Sequence, residues 1–127
     1  MNREIKFRGK NYENKWKYGD LVQEKWKQGK AIMIKKETTA WSVLEDTVGQ
    51  YTGLHDKNGK EIYEGDIVVD KEDEVMGEIT WNEEEASFYF SILYENGTYE
   101  EEKLNDWASV LEVIGNIYDN PELLGEK

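Results

Sequence analysis

Asp56-Lys57-Asn58-Gly59-Lys60-Glu61-Ile62-Tyr63-Glu64-Gly65-Asp66-Ile67-Val68-Val69 is the stretch on which the fold turns. Asp first and Gly fourth suit a type I turn closed by a left-handed glycine, while Asn58-Gly59 alone suits a type I′ turn. Either one joins two extended segments tightly. Thr47-Val48-Gly49-Gln50-Tyr51-Thr52-Gly53-Leu54 enters the turn. On the far side the acidic loop Asp70-Lys71-Glu72-Asp73-Glu74 leads to a returning strand, Gly77-Glu78-Ile79-Thr80-Trp81. Strands opened by glycine across a polar loop are the pattern of a small, strongly bent barrel, because glycine permits bends that larger residues resist.

Toward the C-terminus, residues 86–94 alternate, with Phe88, Phe90, Ile92 and Tyr94 on one face and Tyr89, Ser91 and Leu93 on the other. Asn96-Gly97 then turns the chain into a further strand over residues 98–104. Asn96-Gly97-Thr98 also matches the glycosylation acceptor pattern, but with no export signal ahead of it a turn is the simpler assignment. Residues 110–118 place Leu111, Val113, Gly115 and Ile117 on one face. Asp119 or Asn120 is expected to cap Pro121 at the start of a short helical turn.

Toward the N-terminus, Ile5-Lys6-Phe7-Arg8-Gly9-Lys10 alternates apolar with basic residues. Lys15-Trp16-Lys17-Tyr18-Gly19-Asp20 does so again after an Asn-rich turn. Trp16 and Tyr18 are expected on the inner face, with Lys15 and Lys17 outside. Residues 31–34 form another strand, and Trp41-Ser42-Val43-Leu44 is undecided. Short two-periodic segments with frequent turns give a mainly β class: one domain over residues 1–127, with a basic N-terminal β part (1–46) and an acidic barrel part (47–127).

The 127 residues carry 16 Lys and Arg against 28 Asp and Glu, a net charge of -12, and the charge is divided unevenly. Residues 1–36 hold eleven cations and four anions, a formal +7; the remainder holds five and twenty-four, a formal -19. The acidic body disfavours nucleic acid and anionic membranes, while the basic lobe can attract phosphate or lie against acidic surface. The absence of Cys excludes disulfides and a thiol nucleophile. Five Trp, eight Tyr and three Phe supply a core. The apolar runs are too short to span a bilayer, and a charge falls every few residues through the first thirty, so the expected location is the bacterial cytoplasm.

Phe7-Arg8-Gly9, Trp16 with Tyr18-Gly19, Val48-Gly49-Gln50-Tyr51-Thr52-Gly53-Leu54, the central residues 56–68 and residues 113–124 (Val-Ile-Gly-Asn-Ile-Tyr-Asp-Asn-Pro-Glu-Leu-Leu) resemble the YopX family of phage and prophage proteins. The resemblance spans nearly the whole chain. It implies an SH3-like small barrel with additional N-terminal β-hairpin elements, a source in a temperate phage or prophage of a low-GC Gram-positive bacterium, and no assigned activity. The family usually shows Lys where this chain has His55, which argues against a catalytic histidine. Residues 23–46 follow no pattern of the family.

Catalytic machinery is sparse. His55 beside Asp56 has the order of a base and its orienting carboxylate, but nothing marks a nucleophile, and a turn histidine is ordinarily exposed and inert. A carboxylate pair fit for a hydrolase depends on spacing that the fold alone determines. Asp56-Lys57-Asn58-Gly59 fails as a calcium loop, its glycine standing two positions early. Asp70 to Glu74 and Glu83-Glu84-Glu85 suit solvated loops better than cation sites. No catalytic, cofactor or metal residue is therefore assigned, and no small-molecule substrate is expected. The basic lobe, Arg3 onward, interleaves cations with aromatics, and Arg8, Lys10, Lys15, Trp16, Lys17 and Trp26 are its candidate macromolecule-binding residues. The expected function is non-enzymatic binding of a protein or of further copies of the chain. The alternatives are nucleic-acid binding through residues 3–30 and an acidic decoy that mimics DNA.

Overall fold

The computed structural model describes residues 4–94 and 96–125; Arg3 lies outside them. Two compact units divide the chain, residues 1–51 and 52–127. The division falls inside one strand.

In the first unit β1 (Phe7–Lys10), β2 (Trp16–Trp26), β3 (Gly29–Lys36) and β4 (Thr39–Ser42) form an antiparallel sheet, ordered β4-β3-β2-β1, with the start of β5 (Gly49–His55) beyond β1. The segment left undecided around Trp41 is thus a strand, paired with β3 through Ile34↔Trp41. β2 runs well past Asp20 because Leu21 and Val22 continue its ladder opposite Ile34 and Met33. Ile34, Val43 and Tyr51 are buried here together with polar Arg8, Lys10 and Thr47. The Thr47 hydroxyl joins two segments: it accepts from the Lys10 N–H at 2.9 Å and donates to the Leu44 carbonyl at 2.7 Å.

In the second unit β6 (Glu61–Tyr63) lies beside the end of β5, and a five-stranded antiparallel sheet is ordered β10-β9-β8-β7-β11. Its strands are β7 (Asp66–Asp70), β8 (Val75–Asn82), β9 (Ser87–Leu93), β10 (Tyr99–Lys103) and β11 (Glu112–Asn116). The mainly β class holds, but the expected barrel is not closed. β10 and β11 are the sheet's two edges, joined through 3-10 turns at Leu104–Asp106 and Ala108–Val110. Those turns put Leu104, Ala108 and Leu111 into the core, and Trp107 meets Phe90 edge-on at 5.4 Å, so side chains fill the gap that a closing strand would bridge.

The inward set of β9 follows the alternation: Phe88, Phe90 and Ile92 are buried and share the core with Ile62, Val68 and Ile79, whereas Tyr94, just past the strand's end, is 37 % exposed. β8 approaches β9 closely at Gly77, where a Cβ would collide with the Ser91 carbonyl oxygen. The expected turn before β10 is present, with the Thr98 N–H donating to Asn96 Oδ1 at 2.9 Å; Glu95 lies outside the described residues.

β11 departs from its expected parity. Val113 pairs with Val68 and Gly115 with Ile67, so Ile114 is bulged out of the ladder and Asn116 comes round to the face of Val113. The buried Asn116 amide accepts through Oδ1 from the Tyr118 and Asp119 N–H groups and donates to Asp119 Oδ2. The helical turn at Pro121–Leu124 is present as one 3-10 turn, but Asn120 does not cap it by its side chain. Its Oδ1 accepts instead from the Asn116 N–H at 3.2 Å.

Candidate interaction surface

β2 and β3 form a long hairpin joined through Lys27-Gln28, with Gly29 at φ +135°, a conformation that a β-carbon would strain. Residues 23–30 are exposed throughout, so neither face of this ribbon end is covered. Trp26, paired with Gly29, is 62 % exposed. Lys25 stands directly opposite Lys30, a repulsive placement. Glu45 offsets it, with the Lys30 ammonium 3.0 Å from its carboxylate.

The six candidate residues fall into two groups. Lys10 pairs with Trp16 and Arg8 with Tyr18 across β1 and β2, so cations and aromatics share one face. Arg8 lies over the Trp16 ring at 4.5 Å and Lys10 at 5.5 Å, while Lys10 Nζ donates to Asn14 Oδ1 at 2.8 Å. Both cations are buried. The expected division, with aromatics inside and lysines outside, is therefore not what forms: Trp16 is half-buried under cations, Tyr18 is exposed, and Lys17 lies over Trp41 at 4.7 Å. Lys15 and Trp26 remain on the surface; the exposed Lys25 and Lys30 share the ribbon face opposite Trp26, and Lys27 is in the turn. Trp41 was not among the candidates, because its role depends on a pairing across β3 and β4 that spacing does not encode.

The second unit presents an acidic face. Pairing of Thr80 with Tyr89, Ser91 with Glu101, and Leu93 with Tyr99 sets the outer rows of β8, β9 and β10 side by side. A groove of about 610 Å³ is bordered there by Trp81, Glu83, Glu84, Ser91, Tyr99 and Glu101. Tyr99 is 63 % exposed; Trp81 meets Phe88 edge-on at 4.9 Å. Carboxylates also hold the neighbouring phenols. A hydrogen bond to Glu85 raises the Tyr89 hydroxyl's pKa above its ordinary value. Desolvation, aided by a hydrogen bond to Glu100, does the same at Tyr94.

The Asp56 carboxylate is structural. Oδ1 accepts from the Asn58 and Lys60 N–H groups at 2.8 and 2.9 Å, and Oδ2 accepts from the Val113 N–H at 2.9 Å. Burial pushes its pKa up, but the three backbone donors and the nearby Lys60 charge outweigh that and hold it below the ordinary 3.8. His55, at the end of β5, is exposed. Among the described residues no group of three acidic or histidine side chains is placed to hold a metal ion, and no helix is long and apolar enough to cross a membrane.

The family model described as YopX protein matches residues 6–125. The crystal structure of protein EF1440 from Enterococcus faecalis is 25 % identical, with 97 % of this chain and 99 % of that one covered, at a TM-score of 0.48. No curated protein matches the chain.

Proposed function

The chain belongs to the YopX family, and from that premise we propose that it is a non-enzymatic binding module whose β2–β3 ribbon docks on an acidic protein surface. The observation that carries this reading is the ribbon end itself, uncovered on both faces over residues 23–30 and bearing a largely exposed Trp26 among lysines. Two-stranded ribbons are marginal in water without a covering layer. An exposed tryptophan is among the side chains that most often anchor protein interfaces, and the lysines around it bias the ribbon toward an acidic partner. Its setting is bacterial cytoplasm, in a phage or prophage context.

Nucleic acid is the second reading, favoured by the exposure of Lys15, Lys25, Lys27 and Lys30 on a ribbon that a groove would admit. It ranks lower because Arg8 and Lys10 are buried against Trp16 and withdrawn from phosphates. Cations also cover ring faces of Trp16 and Trp41 that bases would need for stacking. A DNA-mimicking decoy role would rest on the acidity of the second unit alone.

Purification of the tagged full chain from bacterial cells, with and without nuclease, tests the order of these readings. The expected result is one nuclease-insensitive protein partner, lost in the Lys25→Glu/Lys27→Glu variant. Recovery of nucleic acid that declines steeply with salt would overturn it in favour of the second reading. A partner indifferent to the variant would remove the ribbon from the interface.

A further inference from the structure

We infer that Asn96 is a site of spontaneous covalent modification, at which the fold promotes conversion of asparagine to aspartate and isoaspartate. Asn58, in a turn of the same build, is protected. Both precede glycine, which leaves its backbone nitrogen unshielded. That nitrogen gives its proton to a base in solution and attacks the asparagine Cγ, closing a five-membered imide. The side-chain nitrogen takes up a proton and leaves as ammonia. Water then opens the imide at either carbonyl, so the net change is one water in and one ammonia out.

The two turns match in their backbone. The Gly59 N–H donates to the Asp56 carbonyl and the Gly97 N–H to the Tyr94 carbonyl, each at 3.0 Å. The Asp56 and Tyr94 N–H groups donate in turn to the Lys60 and Thr98 carbonyls. Gly59 and Gly97 have φ of +84° and +89°, and both asparagines are exposed. Either attack must break the same kind of glycine hydrogen bond, so backbone geometry does not separate the sites.

The N–H that follows the glycine does. In the first turn the Lys60 N–H donates to Asp56 Oδ1, which also holds the Asn58 N–H, while Oδ2 holds the Val113 N–H. The segment that must swing is pinned on both sides. In the second turn Tyr94 has no carboxylate to offer, and the Thr98 N–H donates to the Asn96 amide oxygen itself at 2.9 Å. The Thr98 hydroxyl donates to the same oxygen at 2.6 Å. Two donors there draw electrons from Cγ and stand ready for the negative charge that gathers on the oxygen as nitrogen adds. Among the described residues nothing donates to the Asn58 amide oxygen. Conversion adds an anion beside Asp73, Glu74 and Glu100, which border with Asn96 a space of about 700 Å³. Isoaspartate also lengthens the backbone of the turn leading into the edge strand β10.

Peptide mapping by mass spectrometry of the purified full chain, held folded at mildly alkaline pH, tests this. Asn96 is expected to convert about tenfold faster than Asn58, the combined effect of two modest hydrogen bonds. Thr98→Val keeps the N–H but removes the hydroxyl, and should slow Asn96 by about threefold with an unchanged circular dichroism spectrum. Thr98→Ser should restore the rate. In concentrated urea, where both turns are dissolved, the two sites should convert alike.

Asn58 converting as fast as Asn96 in the folded chain overturns the inference, as does conversion at neither site. A natively folded Thr98→Val that converts like the wild type overturns it too. A difference that persists in urea assigns the preference to sequence neighbours instead of the fold, with the same result. Should Thr98→Val lose its native spectrum, the comparison of folded and urea-denatured wild type decides alone.

Discussion

Asp56 and Val113, 57 residues apart in sequence, meet through a 2.9 Å hydrogen bond from the Val113 N–H to the Asp56 carboxylate. The carboxylate that closes the turn after β5 also clasps β11, tying a local turn to the last strand of the second unit. Asp56→Asn should cost about 2 kcal/mol at neutral pH, because an amide cannot accept all three bonds with the strength of a charge. The carboxyl is held below its ordinary 3.8 in the folded chain, so an unfolded chain binds more protons in acid. The stabilisation is whole above that ordinary value and is lost as pH falls through the lower folded one. Urea unfolding across this range should show the gap between wild type and Asp56→Asn narrowing below about pH 4.

Gly77 and Gly97 make a contrasting pair. Gly77→Ala drives a methyl group into the Ser91 carbonyl between two paired strands and should cost at least about 3 kcal/mol. Gly97→Ala meets no neighbour within 4 Å but sits at φ +89°, so its cost should be about 1 kcal/mol of backbone strain. Thermal melts of the two variants give the order directly.

Trp16 should respond to changes in its electrons more than in its volume. Trp16→Leu keeps an apolar side chain beneath Arg8 and Lys10 but removes the ring that attracts them, and should cost about 1–2 kcal/mol. Trp16→Phe retains a weaker ring and should fall between Trp16→Leu and the wild type in denaturant midpoint.

Trp26→Ala should leave stability within about 0.5 kcal/mol of the wild type, because the ring is largely in water. Calorimetry should therefore show an unchanged unfolding transition in a chain that no longer engages its partner.

The second unit was largely legible in the sequence, and the reason is local. The turn at Asp56 to Gly59 and the inward row Phe88, Phe90 and Ile92 are each encoded in consecutive residues, so period and turn chemistry reveal them. The parity of β11 was not, because the bulge at Ile114 is defined by the pairing of Val113 and Gly115 with β7. The candidate site was partly legible: Trp26 was identified from composition, but Arg8 and Lys10 look like surface cations and are buried over an indole. Alternation locates a half-buried strand only where its inner face is apolar, and here that face joins charge to ring.

The bulge in β11 has a consequence for how this chain can change over generations. The ladder takes up one extra residue at Ile114 and resumes with Gly115 opposite Ile67 and Asn116 opposite Asp66, so loss of Ile114 would leave the Asn116 amide where it supports the Tyr118 and Asp119 N–H groups. Within β11 a change of length is therefore accommodated best at the bulge, and inherited single-residue losses in this strand should collect there.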